Sequence, residues 1–329
     1  MAEAVLIGVD GGATKTRAVV LAGGAARNVA TVRSASAYHR EPEEAAAVVA
    51  EAARAALAQA GLTPPVAALG AGLAGADDPD IRERLERALR GAGVARLVAI
   101  DHDAAVALAG GTALQPGIVI VAGTGSVAFG VDAAGRRARA GGWGPLLNDE
   151  GSGYDVGRAI LRAAMQAFDG RGPATALAEE VRARFGLASL ASLKLIVRGL
   201  SIDQVAAVAP LAAGAARAGD AVALRIMANA GEALAAMVAA VARRLGWAQT
   251  PFALVATGGM FEAGEMLRGP MLRALAAAGC VPRLRPARFP PEVGAALLAA
   301  RAAGADVEGM VRDLSRAFPP VAVEDGRDP

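Results

Sequence analysis

The feature that most constrains this chain is a unit of strand, glycine turn and second strand that occurs twice. Residues 5–9 form a short apolar run that ends in Asp10-Gly11-Gly12, and residues 17–21 resume an extended pattern. Residues 118–121 run likewise into Gly123-Thr124-Gly125-Ser126. Short apolar runs bounded by glycine predict strands, and each unit is typical of a hairpin. A chain that repeats this unit is predicted to contain two related α/β halves whose turns face each other across a cleft.

Helices and strands alternate after the first hairpin. A third strand is predicted near 28–33, and helices at 41–60, 79–89 and from 104 enclose strands at 66–71 and 97–100. The resulting order is βββαβαβα. After the second hairpin, residues 152–247 read as a run of helices, and strands near 252–256 and 281–284 with a helix over 292–303 restore the alternation. The tail after Gly309 is polar and contains proline, and its end is predicted to fray.

The length of 329 residues exceeds one average core and favours two domains. We expect an N-terminal α/β domain at 1–112 and a second at 113–290, with an all-helical insertion at about 152–247. Residues 291–329 are expected to form a C-terminal helix that packs back on the N-terminal domain, followed by the tail.

Charge and cysteine usage exclude several classes of protein. The net charge is only +2, the two lysines are Lys15 and Lys194, and the arginines form no basic block with interleaved aromatic residues, so no nucleic-acid partner is expected. The single Cys280 excludes an intramolecular disulfide and any site with several thiolate ligands. No targeting or membrane-spanning segment is evident, and we expect a cytoplasmic protein without a membrane partner.

The glycine turns hold the groups that bind phosphate. Backbone without Cβ atoms brings N–H groups directly onto phosphate oxygens. In the first turn Asp10 adds a carboxylate that could hold Mg²⁺ through water, and Lys15 adds a cation. Lys15 follows Thr14 and not a glycine, so the turn is no Walker A loop, and a purely structural turn remains an alternative.

Two carboxylates follow the strand at 97–100. Asp101 and Asp103 stand at its carboxyl end, where α/β sheets bind ligands, and Asp103 could be a general base. The alternative is that Asp103 only caps the helix that begins at Ala104.

Two further segments carry candidate binding groups. The run from Gly141-Gly142-Trp143-Gly144 to Asp149-Glu150-Gly151-Ser152 places glycines, a tryptophan and two acids before a long helix. Its acids suit sugar hydroxyls, and the alternative is packing by Trp143 and capping by Asp149 or Ser152. Thr257-Gly258-Gly259 after a buried strand suits the adenosine end of a nucleotide, or is simply a tight turn.

Several of these motifs together, in this order, resemble the BadF/BadG/BcrA/BcrD ATPase family over nearly the whole chain. The resemblance is strongest to its N-acetylglucosamine kinases, with glucosamine kinases next. It is carried by segments 9–16, 72–75, 103–105, 122–126, 141–144, 149–152 and 257–259.

The resemblance implies a two-domain actin/hexokinase-like fold with ribonuclease H-like halves that binds ATP and Mg²⁺ between its domains. It makes Asp103 the base for the 6-hydroxyl of an amino sugar and Asp10 the magnesium residue, through water. The implied ATP-phosphate residues are Gly11, Gly12, Ala13, Thr14, Lys15, Gly123, Thr124, Gly125 and Ser126. The implied sugar residues are Asp103, Thr124, Gly142, Trp143, Gly144, Asp149 and Glu150, and those for adenosine are Thr257, Gly258 and Gly259.

The chain departs from the family pattern in the segment that is expected to determine sugar specificity. Relatives specific for the acetylated sugar carry an Asn in the segment that corresponds to Ser34–Arg40, and here no Asn stands there. Glucosamine, whose amine would pair with Asp149 or Glu150, therefore stays an alternative. An ATPase activator of a reductase would need more than one thiolate, and a sugar-responsive repressor would need a helix-turn-helix before Gly8. Relatives are often dimers, and the helical insertion would suit a homodimer interface.

Overall fold

The computed structural model describes residues 4–12, 15–22, 25–36, 40–147 and 149–318. The described residues form two compact units. The first unit lies within Met1–Gly117 and Arg285–Pro329, and the second is Ile118–Leu284. The units therefore meet along the chain at 117/118 and 284/285, where the sequence places domain boundaries at 112/113 and 290/291.

The first unit is built on a mixed five-stranded sheet of order β3-β2-β1-β4-β5. β2 pairs antiparallel with both β1 and β3, whereas β4 pairs parallel with both β1 and β5. The elements are β1 (Leu6–Gly11), β2 (Lys15–Ala22), β3 (Ala25–Arg33), α1 (Pro42–Gln59), β4 (Val66–Leu73), α2 (Pro79–Gly91), β5 (Ala95–Asp101) and α3 (Asp103–Gly111). The predicted order βββαβαβα is confirmed.

The second unit repeats that sheet, with strand order β8-β7-β6-β9-β10. A run of helices stands between β8 and β9, and no strand interrupts it among the described residues. The elements are β6 (Gly117–Ala122), β7 (Ser126–Val131), β8 (Arg137–Gly141), α4 (Gly153–Phe168), α5 (Leu177–Arg184), α6 (Leu193–Ile196), α7 (Ile202–Ala206), α8 (Pro210–Arg217), α9 (Ala221–Arg244), β9 (Pro251–Thr257), α10 (Glu265–Ala277) and β10 (Val281–Arg285).

The chain then returns to the first unit with α11 (Pro291–Ala302) and α12 (Val307–Ala317). The tail after Gly309 continues α12 up to Ala317, and its end, where fraying is predicted, lies outside the described residues. Apolar residues at helical spacing (Val307, Met310, Val311 and Leu314) place Leu314 in the core, and the Asp306 side chain caps the helix by accepting from the N–H of Gly309.

The two faces of the first sheet bury alternate residues of β1. Ile7 and Val9 pack into a core with α1, whereas Leu6 packs with Val293 of α11. Gly8 lets α11 approach closely, because a Cβ there would lie 1.8 Å from the carbonyl oxygen of Glu292. Gly294 does the same between α11 and α3, where a Cβ would lie 2.1 Å from the carbonyl oxygen of Val106. Glycine therefore lets α11 pack closely against both β1 and α3.

One helix among the described residues, α9, is long and apolar enough to cross a membrane by length and composition alone. It packs against α8, α10 and β7 and carries buried residues along its length. This packing is that of a core helix.

Candidate active site

The second glycine turn is held from one side by the N-terminus of α4. The N–H of Gly153 donates to the carbonyl of Gly123 at 2.7 Å, and the N–H of Tyr154 donates to the carbonyl of Thr124 at 3.2 Å. In a trans peptide the carbonyl and the following N–H point in opposite directions. The N–H groups of Thr124 and Gly125 therefore both point away from α4, on one side of the turn. A pair of parallel N–H groups of this kind is a phosphate-binding element.

Ser126 joins this turn to the loop that follows β8. Its N–H donates to Asp149 Oδ1 at 3.3 Å, its hydroxyl donates to the carbonyl of Glu150 at 2.8 Å, and its carbonyl accepts from the N–H of Gly142 at 2.9 Å. Ser126 is only 3% exposed. Its donors are thus directed into the protein, and Ser126 holds the turn and the loop together.

The Asp149 carboxylate lies against the turn. A Cβ at Gly125 would lie 3.1 Å from both of its oxygens, so a side chain there would fit only tightly. Asp149 is buried and has a left-handed backbone, with φ of 70°. Burial raises the pKa of its carboxyl, the N–H of Ser126 opposes that rise, and the charges of Glu150 and Asp155 add to it. Of the two predicted capping residues Ser152 is confirmed, because its side chain accepts from the N–H of Asp155, and Asp149 is not the cap.

The remaining predicted sugar residues lie on the same loop. Trp143 is 63% exposed, and the guanidinium of Arg139 lies over its ring at 4.5 Å from the centroid. Arg139 also donates to the carbonyls of Gly141 and Gly142, at 3.0 Å and 2.7 Å. Gly144 and the exposed Glu150 complete the loop. Trp143 therefore does not pack into the core, and a cation fixes its exposed ring.

Gly258 brings the predicted adenosine segment to the same turn. Its φ is +106°, and a Cβ would lie 2.3 Å from the carbonyl oxygen of Ala122, the residue before Gly123. Thr257 ends β9 and pairs with Val121 of β6, and Gly259 begins a short 3₁₀ helix. The second unit thus gathers the phosphate turn, the loop with Asp149 and the glycines at 258–259 at one edge of its sheet.

The first glycine turn lies at the end of β1. The N–H of Ala74 donates to the carbonyl of Gly11 at 3.2 Å, and the hydroxyl of Ser34 donates to the carbonyl of Gly12 at 2.9 Å. Thr16, the register partner of Gly11, is fully buried, and its hydroxyl has no hydrogen-bond partner among the described residues. Ala13 and Thr14 of the predicted phosphate loop lie outside the described residues, as do Ala37 to His39 of the sugar-choosing segment.

Asp10 stands in a field of charges at the base of this turn. Burial raises the pKa of its carboxyl to about 7; the charges of Asp103 and Glu292 also raise it, whereas those of Arg17 and Lys15 lower it. Mg²⁺ in nucleotide sites needs only one or two carboxylates, with phosphate and water as its other ligands. Among the described residues no group of three or more His, Cys, Asp or Glu side chains could hold a metal alone. Asp10 therefore fits a cation that arrives with a nucleotide.

Asp103 is the first residue of α3 and does not cap it. The cap is His102, whose Nδ1 accepts from the N–H of Ala105 at 3.2 Å, so the capping alternative for Asp103 is wrong. Asp103 Oδ1 accepts from the N–H of Ala104 at 2.8 Å. The N-terminus of a helix is a favourable place for a carboxylate.

Three residues near these groups are not predicted by the sequence. Ser34 holds Gly12, Asp203 of α7 accepts from the hydroxyl of Thr124 at 3.0 Å, and Glu292 of α11 lies beside Asp10. In the sequence Ser34 looks like an ordinary loop residue and Asp203 like an ordinary helix residue. Only Glu292 could have been identified from the sequence, because it is a charged residue within the apolar run of α11.

Comparison with known proteins adds the family. The model of the BadF/BadG/BcrA/BcrD ATPase family matches residues 7–299. The chain belongs to this family. A protein of Dictyostelium discoideum named N-acetyl-D-glucosamine kinase is 31% identical over 91% of this chain and 98% of its own. One of Clostridium acetobutylicum named N-acetylmuramic acid/N-acetylglucosamine kinase is 35% identical over 58% of this chain and 63% of its own.

Solved structures place this BadF/BadG/BcrA/BcrD family member among sugar kinases of the actin/hexokinase-like ATPase fold. A candidate N-acetylglucosamine kinase of Chromobacterium violaceum has a TM-score of 0.74 and 27% identity, over 91% of this chain and 99% of its own. A ROK family glucokinase of Streptomyces griseus, solved with glucose and AMPPNP, has a TM-score of 0.55 and 22% identity, over 90% and 99%. The predicted fold class is confirmed, and the named relatives support an ATP-dependent sugar kinase.

Proposed function

We propose that this chain is a cytoplasmic, ATP-dependent kinase that phosphorylates the 6-hydroxyl of N-acetylglucosamine. The observation that carries the proposal is the arrangement around Ser126, which ties a phosphate-binding turn to the buried carboxylate of Asp149. A turn with parallel N–H groups suits the phosphates of ATP, and an adjacent carboxylate suits sugar hydroxyls. Relatives named as N-acetylglucosamine kinases supply the substrate class.

In the proposed reaction the residues mainly position groups and neutralise charge. Thr124 and Gly125 bind phosphate oxygens through their N–H groups, with Gly11, Gly12 and Lys15 as the matching elements of the first unit. Asp103 accepts the proton of the 6-hydroxyl as that oxygen forms its bond to the γ-phosphorus, and the bond to the β-phosphate oxygen breaks to release ADP. Asp10 would hold Mg²⁺ through water, and the bound ion would supply charge neutralisation at the phosphates of ATP.

Glucosamine is the second candidate substrate, and two observations favour it. Asp149 and Glu150 could pair with a free amine, and residues 34–40 contain no Asn for an acetamide group. The expected homodimer stays a prediction.

The test is ADP release with Mg-ATP against N-acetylglucosamine, glucosamine, N-acetylmuramic acid, glucose and no sugar. We expect the largest stimulation with N-acetylglucosamine and a product whose phosphorus couples to the protons on C6 in NMR. Preference for glucosamine would select the second candidate. ATP turnover that no sugar stimulates would contradict the proposal and favour an ATPase that acts on a protein partner.

A further inference from the structure

Glu292 is a buried charge that the proposed reaction does not use. It is the second residue of α11, is 1% exposed, and lies where Gly8 and Gly294 let α11 pack against β1 and α3. Neither of its carboxylate oxygens has a hydrogen-bond partner among the described residues. Its ionic partner is Arg17, whose Nη2 lies 3.2 Å from Glu292 Oε1. A buried carboxylate with so few partners destabilises the fold, so its presence needs a reason.

Arg17 connects Glu292 to Asp10. Arg17 is the direct register partner of Asp10 across β1 and β2, so both side chains lie on the same face of the sheet. Its charge acts on the Asp10 carboxyl. No ion pair between Arg17 and Asp10 occurs in the part of the chain that the structure describes, because the guanidinium is paired with Glu292 instead. Glu292 therefore holds the arginine that stands opposite Asp10 across the two strands.

We propose that Glu292 is a positioning residue that withdraws Arg17 from Asp10, so that the Asp10 carboxylate stays available to the cation that accompanies the nucleotide. The inference rests on the proposed function for the role of Asp10. Without Glu292, Arg17 would pair with its cross-strand neighbour Asp10, and the cation would have to displace it. Glu292 thus acts on the nucleotide site through Arg17 and touches no substrate.

A structural role at the start of α11 is the competing explanation. A carboxylate in the first turn of a helix is favourable in itself. Glu308 provides the matched control, because it is the second residue of α12, as Glu292 is of α11, but is exposed. The helix-terminus effect alone would make the two glutamates equivalent.

The experiment measures ADP binding by calorimetry with and without Mg²⁺, in the absence of sugar, so that its readout does not depend on turnover. For Glu292→Gln we expect the gain in ADP affinity due to Mg²⁺ to fall about tenfold or more, with Mg-free ADP binding little changed. Glu308→Gln should match the wild type. The double variant Arg17→Gln/Glu292→Gln should recover most of the gain, because no guanidinium is left to occupy Asp10.

Recovery in the double variant separates positioning from structure, since a purely structural role predicts that a second substitution adds to the damage. The inference would be overturned if Glu292→Gln kept the wild-type gain in ADP affinity due to Mg²⁺. It would also be overturned if the double variant showed no larger gain than Glu292→Gln alone. Should Glu292→Gln not fold, the single variant Arg17→Gln serves: it should keep the gain while lowering the melting temperature, because it leaves Glu292 buried and unpaired. A lost gain there would also overturn it. Failure of the sugar assay alongside these results would reject only the proposed function.

Discussion

The two glycine turns occupy the same place in sheets of the same strand order, yet different forces hold them. The second turn is fixed by backbone hydrogen bonds from α4 and by Ser126, with the buried Asp149 against it and the exposed Asp203 on the Thr124 hydroxyl. The first turn stands among charges, with Asp10, Arg17, Asp103 and Glu292 at the ends of β1, β2, α3 and α11. Duplicated architecture therefore does not imply duplicated chemistry. In our interpretation the second unit positions the ligands, whereas the first unit provides the charged groups and the residue that accepts the proton of the sugar hydroxyl.

Among the tests of this contrast, Asp103→Asn has the largest expected effect. The amide keeps the shape and polarity of the side chain but cannot accept the proton, so turnover should fall by about 10² or more while ATP and sugar binding persist. Steady-state rates with calorimetric binding of both ligands check this. Turnover within a few-fold of the wild type would remove Asp103 from the chemistry and break the assignment of proton transfer to the first unit.

The second unit should be sensitive to shape instead of charge. Gly258→Ala would place a Cβ on the Ala122 carbonyl at a φ of +106°, and we expect ATP affinity to fall about tenfold as the strain displaces the phosphate turn. Gly279→Ala is the control for backbone strain alone, because its φ is +74° and a Cβ would meet no atom within 4 Å. It should cost about 1 kcal/mol of stability and leave ATP affinity unchanged. Equal effects of the two variants on ATP binding would contradict the role of close packing.

The first unit should instead respond to pH through Asp10. Its pKa is raised from 3.8 to about 7, so the folded protein binds this proton more tightly than the unfolded chain does. Stability from this group is fully present at low pH and is lost as pH rises towards 7, by at most about 4 kcal/mol for a shift of about three pKa units. Asp10→Asn cannot ionise, so its melting temperature should exceed that of the wild type at pH 8, and the difference should shrink towards pH 4. Melting curves whose difference does not change with pH would contradict the charged environment.

The sequence predicted the elements and the glycine turns because local patterns determine both. Short apolar runs before glycine define β1 and β6, and the order βββαβαβα follows from alternation. It could not predict that Ser126 would tie Asp149 to the second glycine turn, because those residues meet only when β7 and the loop that follows β8 pack together. The cap of α3 was missed for a local reason, since Asp103 outranks His102 in capping preference but stands one residue too late. The position of Glu292 beside Asp10 depends on α11 returning to the first sheet, a contact that no local pattern encodes.

The smallest expected effect concerns Thr124, where a charge does touch the second turn. Its hydroxyl donates its only hydrogen to Asp203 Oδ1, so Thr124 Oγ1 offers lone pairs, which suit a sugar hydroxyl better than a phosphate oxygen. Asp203→Ala would free that hydrogen and remove a negative charge near the turn. We expect KM for the sugar to rise about threefold and KM for ATP to fall, since an exposed hydrogen bond contributes about 1 kcal/mol or less. Asp203→Asn keeps the acceptor without the charge, so it should lower KM for ATP alone. If both variants raise KM for the sugar equally, the charge of Asp203 and not its hydrogen bond orients Thr124, and the second turn resembles the first more than its backbone contacts indicate.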